Sequence, residues 1–125
     1  MRVGIVGTGR MAASRAECIL KNIGVELAWV CSRSRQRGGE FVATLDSRGH
    51  TSRPAVCGLF SDALAQGKAD AVFITSPNSR HRRTAEEAFA ARKHVFLEYP
   101  PRVLPSEGEE LISLAKRSGM RYVVG

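Results

Sequence analysis

The sequence predicts an α/β fold: a doubly wound parallel sheet with helices on both faces. Strand-like and helix-like stretches alternate from one end to the other, as in β-α-β units with right-handed crossovers. The strand-like stretches are continuous apolar runs, as in a sheet covered on both sides. A glycine turn between the first strand and the first helix marks where such a sheet holds a ligand.

Arg2–Val6 is a short β-branched run and the first strand. Met11–Lys21 follows as a helix, with Ala12, Arg15, Ala16, Ile19 and Leu20 at helical spacing. Val25–Cys31 is the second strand. Arg35–Arg48 reads as a helix with Phe41, Val42 and Leu45 on one face. Thr51–Pro54 is a loop and Ala55–Cys57 a short third strand. Ser61–Gln66 makes one or two helical turns, closed by Gly67. Ala69–Thr75 is a buried strand by its apolar run. Ser79–Ala91 is a helix with Ala85, Ala88 and Phe89 inward, and Lys93–Leu97 the fifth strand. Ser106–Ser118 is a helix opened by Ser106 with Glu109 three residues later, a capping-box spacing, and stopped by Gly119. Arg121–Val124 is the sixth strand. No internal repeat, low-complexity tract or linker interrupts this series.

At 125 residues and 43% hydrophobic content, the chain is one domain's worth, residues 1–125, with apolar material for one core. Two domains of usual size would need roughly 300 residues. No apolar run reaches the ~18–20 residues of a membrane span. The apolar N-terminus is too short for a secretory signal, so the cytosol is the expected compartment. Cys18, Cys31 and Cys57 are an odd number without a C-x-x-C pair. They fit neither a disulfide framework nor a zinc site, and no metal site is expected. Each is expected as a buried, reduced thiol.

Net charge is +7, and arginine supplies 15 of the 19 basic residues. Guanidinium forks suit phosphate, so an anionic ligand fits this composition. Nucleic acid does not: the basic residues are scattered, with no aromatics interleaved.

Gly7-Thr8-Gly9-Arg10-Met11-Ala12 has the G-x-G-x-x-G/A spacing directly after the first strand. Gly7 lets the chain turn, Gly9 lets backbone approach a pyrophosphate, and Ala12 lets the helix lie close on the sheet. The helix N-terminus, with Arg10 and Met11 in its first turn, offers unpaired N–H groups to phosphates. This is the Rossmann dinucleotide motif, and the strand order that goes with it is 3-2-1-4-5-6. Cofactor choice should be set after the second strand. Cys31-Ser32-Arg33-Ser34-Arg35-Gln36-Arg37 holds no acid before Glu40. A carboxylate there would bind the 2′-hydroxyl of NAD, whereas Ser32, Arg33 and Ser34 suit a 2′-phosphate. The segment predicts NADP(H) in preference to NAD(H). Arg35 and Arg37 fit a solvated helix turn better than a ligand contact.

A second signature spans Ala69–Pro100. Asp70-Ala71-Val72, Ile74, Pro77-Asn78, His81, Lys93-His94-Val95, Glu98 and Pro100, with the opening Val3-Gly4-Ile5-Val6-Gly7-Thr8-Gly9, closely resemble the Gfo/Idh/MocA family of oxidoreductases. The resemblance covers essentially the whole chain. It implies that Ser76, Pro77 and Asn78 line the cofactor channel, that His81 sits near it, and that Glu98 contacts the nicotinamide ribose. Arg80, Arg82 and Arg83 read as an exposed helix face. Tyr99 stands where most family members carry the lysine of E-K-P. With Glu98 it is the candidate catalytic group, able to donate a proton but without a positive charge. Glu98-Tyr99-Pro100 is similar to the biliverdin reductases of the same superfamily.

The resemblance also implies a C-terminal α/β domain that supplies most of the substrate pocket, and none of it is in these 125 residues. The expected function is therefore the NADP(H)-binding domain of an oxidoreductase acting on an unidentified small molecule. The missing half would come from a partner chain, self-association or a longer protein. The face around Tyr99, Pro101, Val103 and Leu104 should then be exposed or covered by another subunit. The alternative is a non-catalytic dinucleotide-binding module, a sensor or scaffold.

Overall fold

The computed structural model describes residues 1–47, 49, 53–101 and 104–125. Six strands form one parallel sheet: β1 (Arg2–Val6), β2 (Glu26–Cys31), β3 (Ala55–Cys57), β4 (Ala71–Ile74), β5 (His94–Leu97) and β6 (Tyr122–Val124). Their order is β3-β2-β1-β4-β5-β6, as expected, and every pairing is parallel. The helices are α1 (Arg10–Leu20), α2 (Arg35–Ser47), α3 (Phe60–Ala65), α4 (His81–Ala90) and α5 (Pro105–Ser118). Element ends agree with the sequence reading to within two residues, and a 3-10 turn, Asn78–Arg80, precedes α4. Of the expected loop before β3, Thr51 and Ser52 lie outside the described residues.

The two sheet faces bury separate clusters. On one, Val3, Ile5, Leu27 and Val30 pack under α1 and α2 through Ala12, Ala16, Ile19, Phe41 and Leu45. On the other, Trp29, Val72, Ile74, Val95 and Leu97 meet α3, α4 and α5 through Ala63, Phe89 and Leu111. A register shift places Val3 opposite Leu27 but Gly4 opposite Trp29. The extra residue sends Leu27 and Trp29 to opposite faces, as a bulge does.

Gly4, which the motif reading passes over, is required by that switch. A Cβ at Gly4 would stand 2.2 Å from the Trp29 ring. Trp29 is fully buried and sits edge-on to Phe60, so it has no room to move.

Three sequence expectations need correction. The start of α5 is not Ser106 but Pro105, with Leu104 as the cap. Proline presets the first helical φ, and the Glu107 carboxylate accepts the Leu104 N–H at 2.9 Å. Cys18 is exposed, unlike Cys31 and Cys57, because it falls outside the Ala12–Ala16–Ile19 stripe. Arg82 is not merely solvated: it bonds Glu86 on its own helix at 2.8 Å, and Glu107 and Glu110 on α5 at 3.0 and 2.6 Å. It ties α4 to α5.

Gly4→Ala should cost about 3 kcal/mol of stability, the upper range for overpacking. Urea denaturation would read this, and an unchanged midpoint would show that Trp29 can shift. Burial, with lesser contributions from Cys57 and Asp62, pushes the Cys31 thiol from its ordinary 9.0 up to about 11. The folded chain then holds that proton longer than the unfolded chain does. The stability from this group is present below the ordinary thiol range and lost as pH rises toward about 11. Denaturation midpoints should fall less steeply across this window in Cys31→Ala.

Candidate functional site

The carboxyl ends of β1, β2, β3 and β4 open into one groove of about 1060 Å³. Its floor follows from how β1 ends. Gly7 has φ 113°, open to glycine but strained for other residues. A Cβ there would also stand 2.7 Å from Thr75 Oγ1. The Gly7 N–H donates to the Cys31 carbonyl at 2.9 Å, and the Thr75 N–H and hydroxyl both donate to the Val6 carbonyl at 2.9 Å. The tips of β2, β1 and β4 are thereby held together.

Gly9 caps α1 without a side-chain bond, and nothing lies within 4 Å of where its Cβ would be. The first intrahelical donor is the Ala13 N–H, to the Gly9 carbonyl at 3.1 Å. The N–H groups of the first turn, including those of Arg10 and Met11, have no carbonyl of their own helix to bond. Ala12 is fully buried against the sheet. This is a positive helix end with open backbone, a cradle for phosphate. On the β4 side, the buried Ser76 hydroxyl has no hydrogen-bond partner, and Ser76 lines the groove. Open backbone at Gly9 and an unpartnered hydroxyl at Ser76 fit a polar ligand laid across the strand tips.

At the β2 side, Ser32 is buried and its Oγ accepts the Ser34 N–H at 3.4 Å. Ser34 Oγ accepts the Arg37 N–H at 3.2 Å and so caps α2. Arg33 is exposed and lines the groove; so does Arg37, contrary to the expectation that it would only solvate its helix. The serine caps set the start of α2, which turns position 37 back toward the strand tips.

The structure thus brings Gly7, Thr8, Gly9, Ser32, Arg33, Ser34, Ser76 and Pro77 together in one wall. Asn78 opens the 3-10 turn just beyond. Arg10 lines an adjoining hollow between α1 and α2, and Met11 lines neither space. Met11 has only its backbone to offer.

His81 is buried, 1% exposed. Its Nε2 lies 2.7 Å from the Ser76 carbonyl and its Nδ1 3.2 Å from the Pro101 carbonyl. The ring braces the two loops that follow β4 and β5. Glu98 and Tyr99 sit one strand further along the same edge, outside the groove wall. Glu98 is buried, and its carboxylate is bound by Arg15 at 2.8 and 3.0 Å. Tyr99 is 72% and Leu104 64% exposed. Pro101 is half-buried, and Val103 lies outside the described residues.

Sequence reasoning missed the Gly58–Phe60 wall, Arg80 and Arg15. Gly58 had a usable signal, a glycine directly after a strand placed beside β2. Arg15 had none, because its partner is 83 residues away.

A groove at the carboxyl ends of a doubly wound sheet, opened by a glycine turn and a helix N-terminus, defines a dinucleotide-binding domain. Residues 1–125 match the oxidoreductase family with an NAD-binding Rossmann fold. The chain belongs to that family, Gfo/Idh/MocA, and is an NAD(P)-binding Rossmann domain of the oxidoreductase type. It is 34% identical over 120 residues to the scyllo-inositol 2-dehydrogenase (NADP(+)) IolU of Bacillus subtilis, covering 96% of this chain and 35% of that one. It is 29% identical to the 4-carboxy-2-hydroxymuconate-6-semialdehyde dehydrogenase of a Sphingobium species, covering 100% of this chain and 38% of the relative. The crystal structure of GenD2, from gentamicin A biosynthesis, in complex with NAD superposes with a TM-score of 0.89 at 25% identity. All of this chain and 34% of GenD2 are covered. The chain spans about a third of the length of these relatives. Among the described residues, no helix is long and apolar enough to cross a membrane.

Gly9→Ala separates the site from the fold. Its Cβ would meet nothing within the chain, so the variant should lose about 1 kcal/mol or less in a thermal melt. A methyl group between the backbone and a pyrophosphate should weaken dinucleotide binding at least about tenfold. Calorimetry on the folded variant would show this, and unaltered binding would remove Gly9 from the site.

Proposed function

We propose that this domain binds NADP(H) in preference to NAD(H) and serves hydride transfer between the nicotinamide and a small-molecule acceptor. One observation carries the cofactor choice. Among the described residues no carboxylate lines the groove, while Arg33, Arg37 and Arg80 do. A 2′-phosphate at the β2 tip would meet Arg33 and Arg37, with the Ser32 and Ser34 hydroxyls beside them. The acid that would repel it, Glu40, lies in the adjoining hollow and accepts a bond from Gln36 at 3.3 Å.

In this reading Gly7, Thr8 and Gly9 with the N–H groups of Arg10 and Met11 cradle the pyrophosphate. Ser76, Pro77 and Asn78 line the path of the nicotinamide half. His81 acts indirectly, by bracing the loops on either side of that path. Glu98 would accept hydrogen bonds from the second ribose. Tyr99 would donate a proton to the substrate as hydride arrives. The bound cofactor supplies the hydride chemistry; the chain positions it.

The substrate half lies beyond these residues in this reading, supplied by further chain, a partner subunit or a second copy. The exposed Tyr99 supports this, since a proton donor needs a covered site to work well. We place the domain in the cytosol, consistent with its free cysteines. Likeness of Glu98-Tyr99-Pro100 to the biliverdin reductases supplies one acceptor to assay, a conjugated tetrapyrrole. The sensor or scaffold reading predicts the same cofactor binding but no turnover with any supplied substrate half.

The test is calorimetric titration with NADPH and, separately, NADH. NADPH should bind in the micromolar range and NADH much more weakly. Arg33→Ala should cost about 1.5–3 kcal/mol of NADPH binding, roughly 10- to 100-fold, and leave NADH unchanged. Equal affinity for the two cofactors would refute the NADP assignment.

A further inference from the structure

Arg15 lies in the second turn of α1, the helix whose first turn faces the pyrophosphate. Its side chain reaches over β4 to β5. The guanidinium Nε bonds one Glu98 oxygen at 3.0 Å and Nη2 the other at 2.8 Å. Its face lies 4.8 Å from the centre of the Phe96 ring, and Phe96 stacks on Phe73 at 4.8 Å and 25°. The ion pair is largely shielded, with side chains 28% and 11% exposed. A bidentate pair on an aromatic floor fixes geometry more than it adds stability, because desolvation offsets much of the attraction.

The shape of a dinucleotide says what this geometry is for. Two riboses flank one pyrophosphate. With the pyrophosphate at the β1 tip and the adenosine ribose at the β2 tip, the second ribose must lie on the other side, across β4 toward β5. At those two tips the Thr75 hydroxyl is spent on the Val6 carbonyl, while the Ser76 hydroxyl has no partner and Glu98 presents a carboxylate. Each carboxylate oxygen has two acceptor sites. The fork takes the inner site of each oxygen; the outward site that remains on either oxygen can accept one ribose hydroxyl.

We propose that Arg15 is a positioning residue that holds Glu98 as a fixed acceptor for a hydroxyl of the second ribose, linking the pyrophosphate-binding helix to the nicotinamide end. This rests on the dinucleotide reading above. Arg15 itself touches no ligand.

The experiment compares two ligands on the full chain: NADPH, which carries the second ribose, and 2′,5′-ADP, which does not. Arg15→Met should weaken NADPH about tenfold and leave 2′,5′-ADP unchanged. Glu98→Gln should do the same. Arg15→Met with Glu98→Gln, which leaves no orphaned charge, should lose no more than either single variant. Arg15→Lys, which keeps the charge but not the fork, should fall between Arg15→Met and the unaltered chain. Should Arg15→Met fail to fold, the double variant and Glu98→Gln carry the comparison. Equal weakening of both ligands would mean a general structural role and would overturn the proposal. So would unaltered NADPH binding, or losses that simply add. An unaltered chain that binds neither ligand would overturn the dinucleotide reading, and this proposal with it.

Discussion

The functional edge rests on a relay of backbone hydrogen bonds, in which the residue just past each strand hangs on the last carbonyl of its neighbour. Ser32 donates to Cys57, Gly7 to Cys31 and Thr75 to Val6, each at 2.9 Å. Glu98 donates to Ile74 at 3.1 Å and Gly125 to Leu97 at 3.0 Å. The relay extends the sheet one residue beyond its strands. It sets the heights of five chain segments relative to one another. Each segment then leaves the sheet from a defined point, so its side chains meet those of a neighbour distant in sequence. A parallel sheet allows this because all its strands finish at the same edge.

Much of this was legible in the sequence because it is local. Apolar runs mark the strands, the Ala12–Ala16–Ile19 stripe marks α1, and the glycine spacing marks the turn. The strand order followed from the motif and from crossover handedness. What escaped is non-local or set by competition between neighbours. Gly4 depends on a bulge that brings Trp29 under β1. Proline at 105 displaced the serine cap expected at 106, because Glu107 reaches the Leu104 N–H. The family resemblance puts His81 near the cofactor channel, but does not say that its ring lies between two carbonyls from separate loops. Arg15 and Glu98 each make sense only beside the other.

Composition pointed to an anionic ligand but could not say which arginines would face it. Arg82 and Arg83 are taken up by carboxylates of α4 and α5, Arg2 by Glu26, Arg53 by Asp46 and Arg15 by Glu98. These charges are compensated where they stand. Arg33, Arg37 and Arg80 converge on a groove wall without acids. Three guanidinium groups on one concave wall suit a small phosphorylated ligand.

The groove and the Glu98–Tyr99 turn differ in how finished they are. The groove is set by backbone: glycine φ values, strand tips and a helix end, all fixed by the fold. The Arg15–Glu98 pair is likewise shielded and held at two points. Tyr99, one residue on, has its backbone N–H anchored to the Gly125 carbonyl while its side chain stands in solvent. Proton donation in open water gains little over the solvent itself; a donor becomes effective when a low-dielectric wall fixes its direction and excludes competing water. Cofactor binding and substrate chemistry then have separate physical requirements. The first is met by backbone already in place. The second would be met only when a surface closes over Tyr99, and that surface would choose the substrate, which explains how one dinucleotide groove can serve many different reactions.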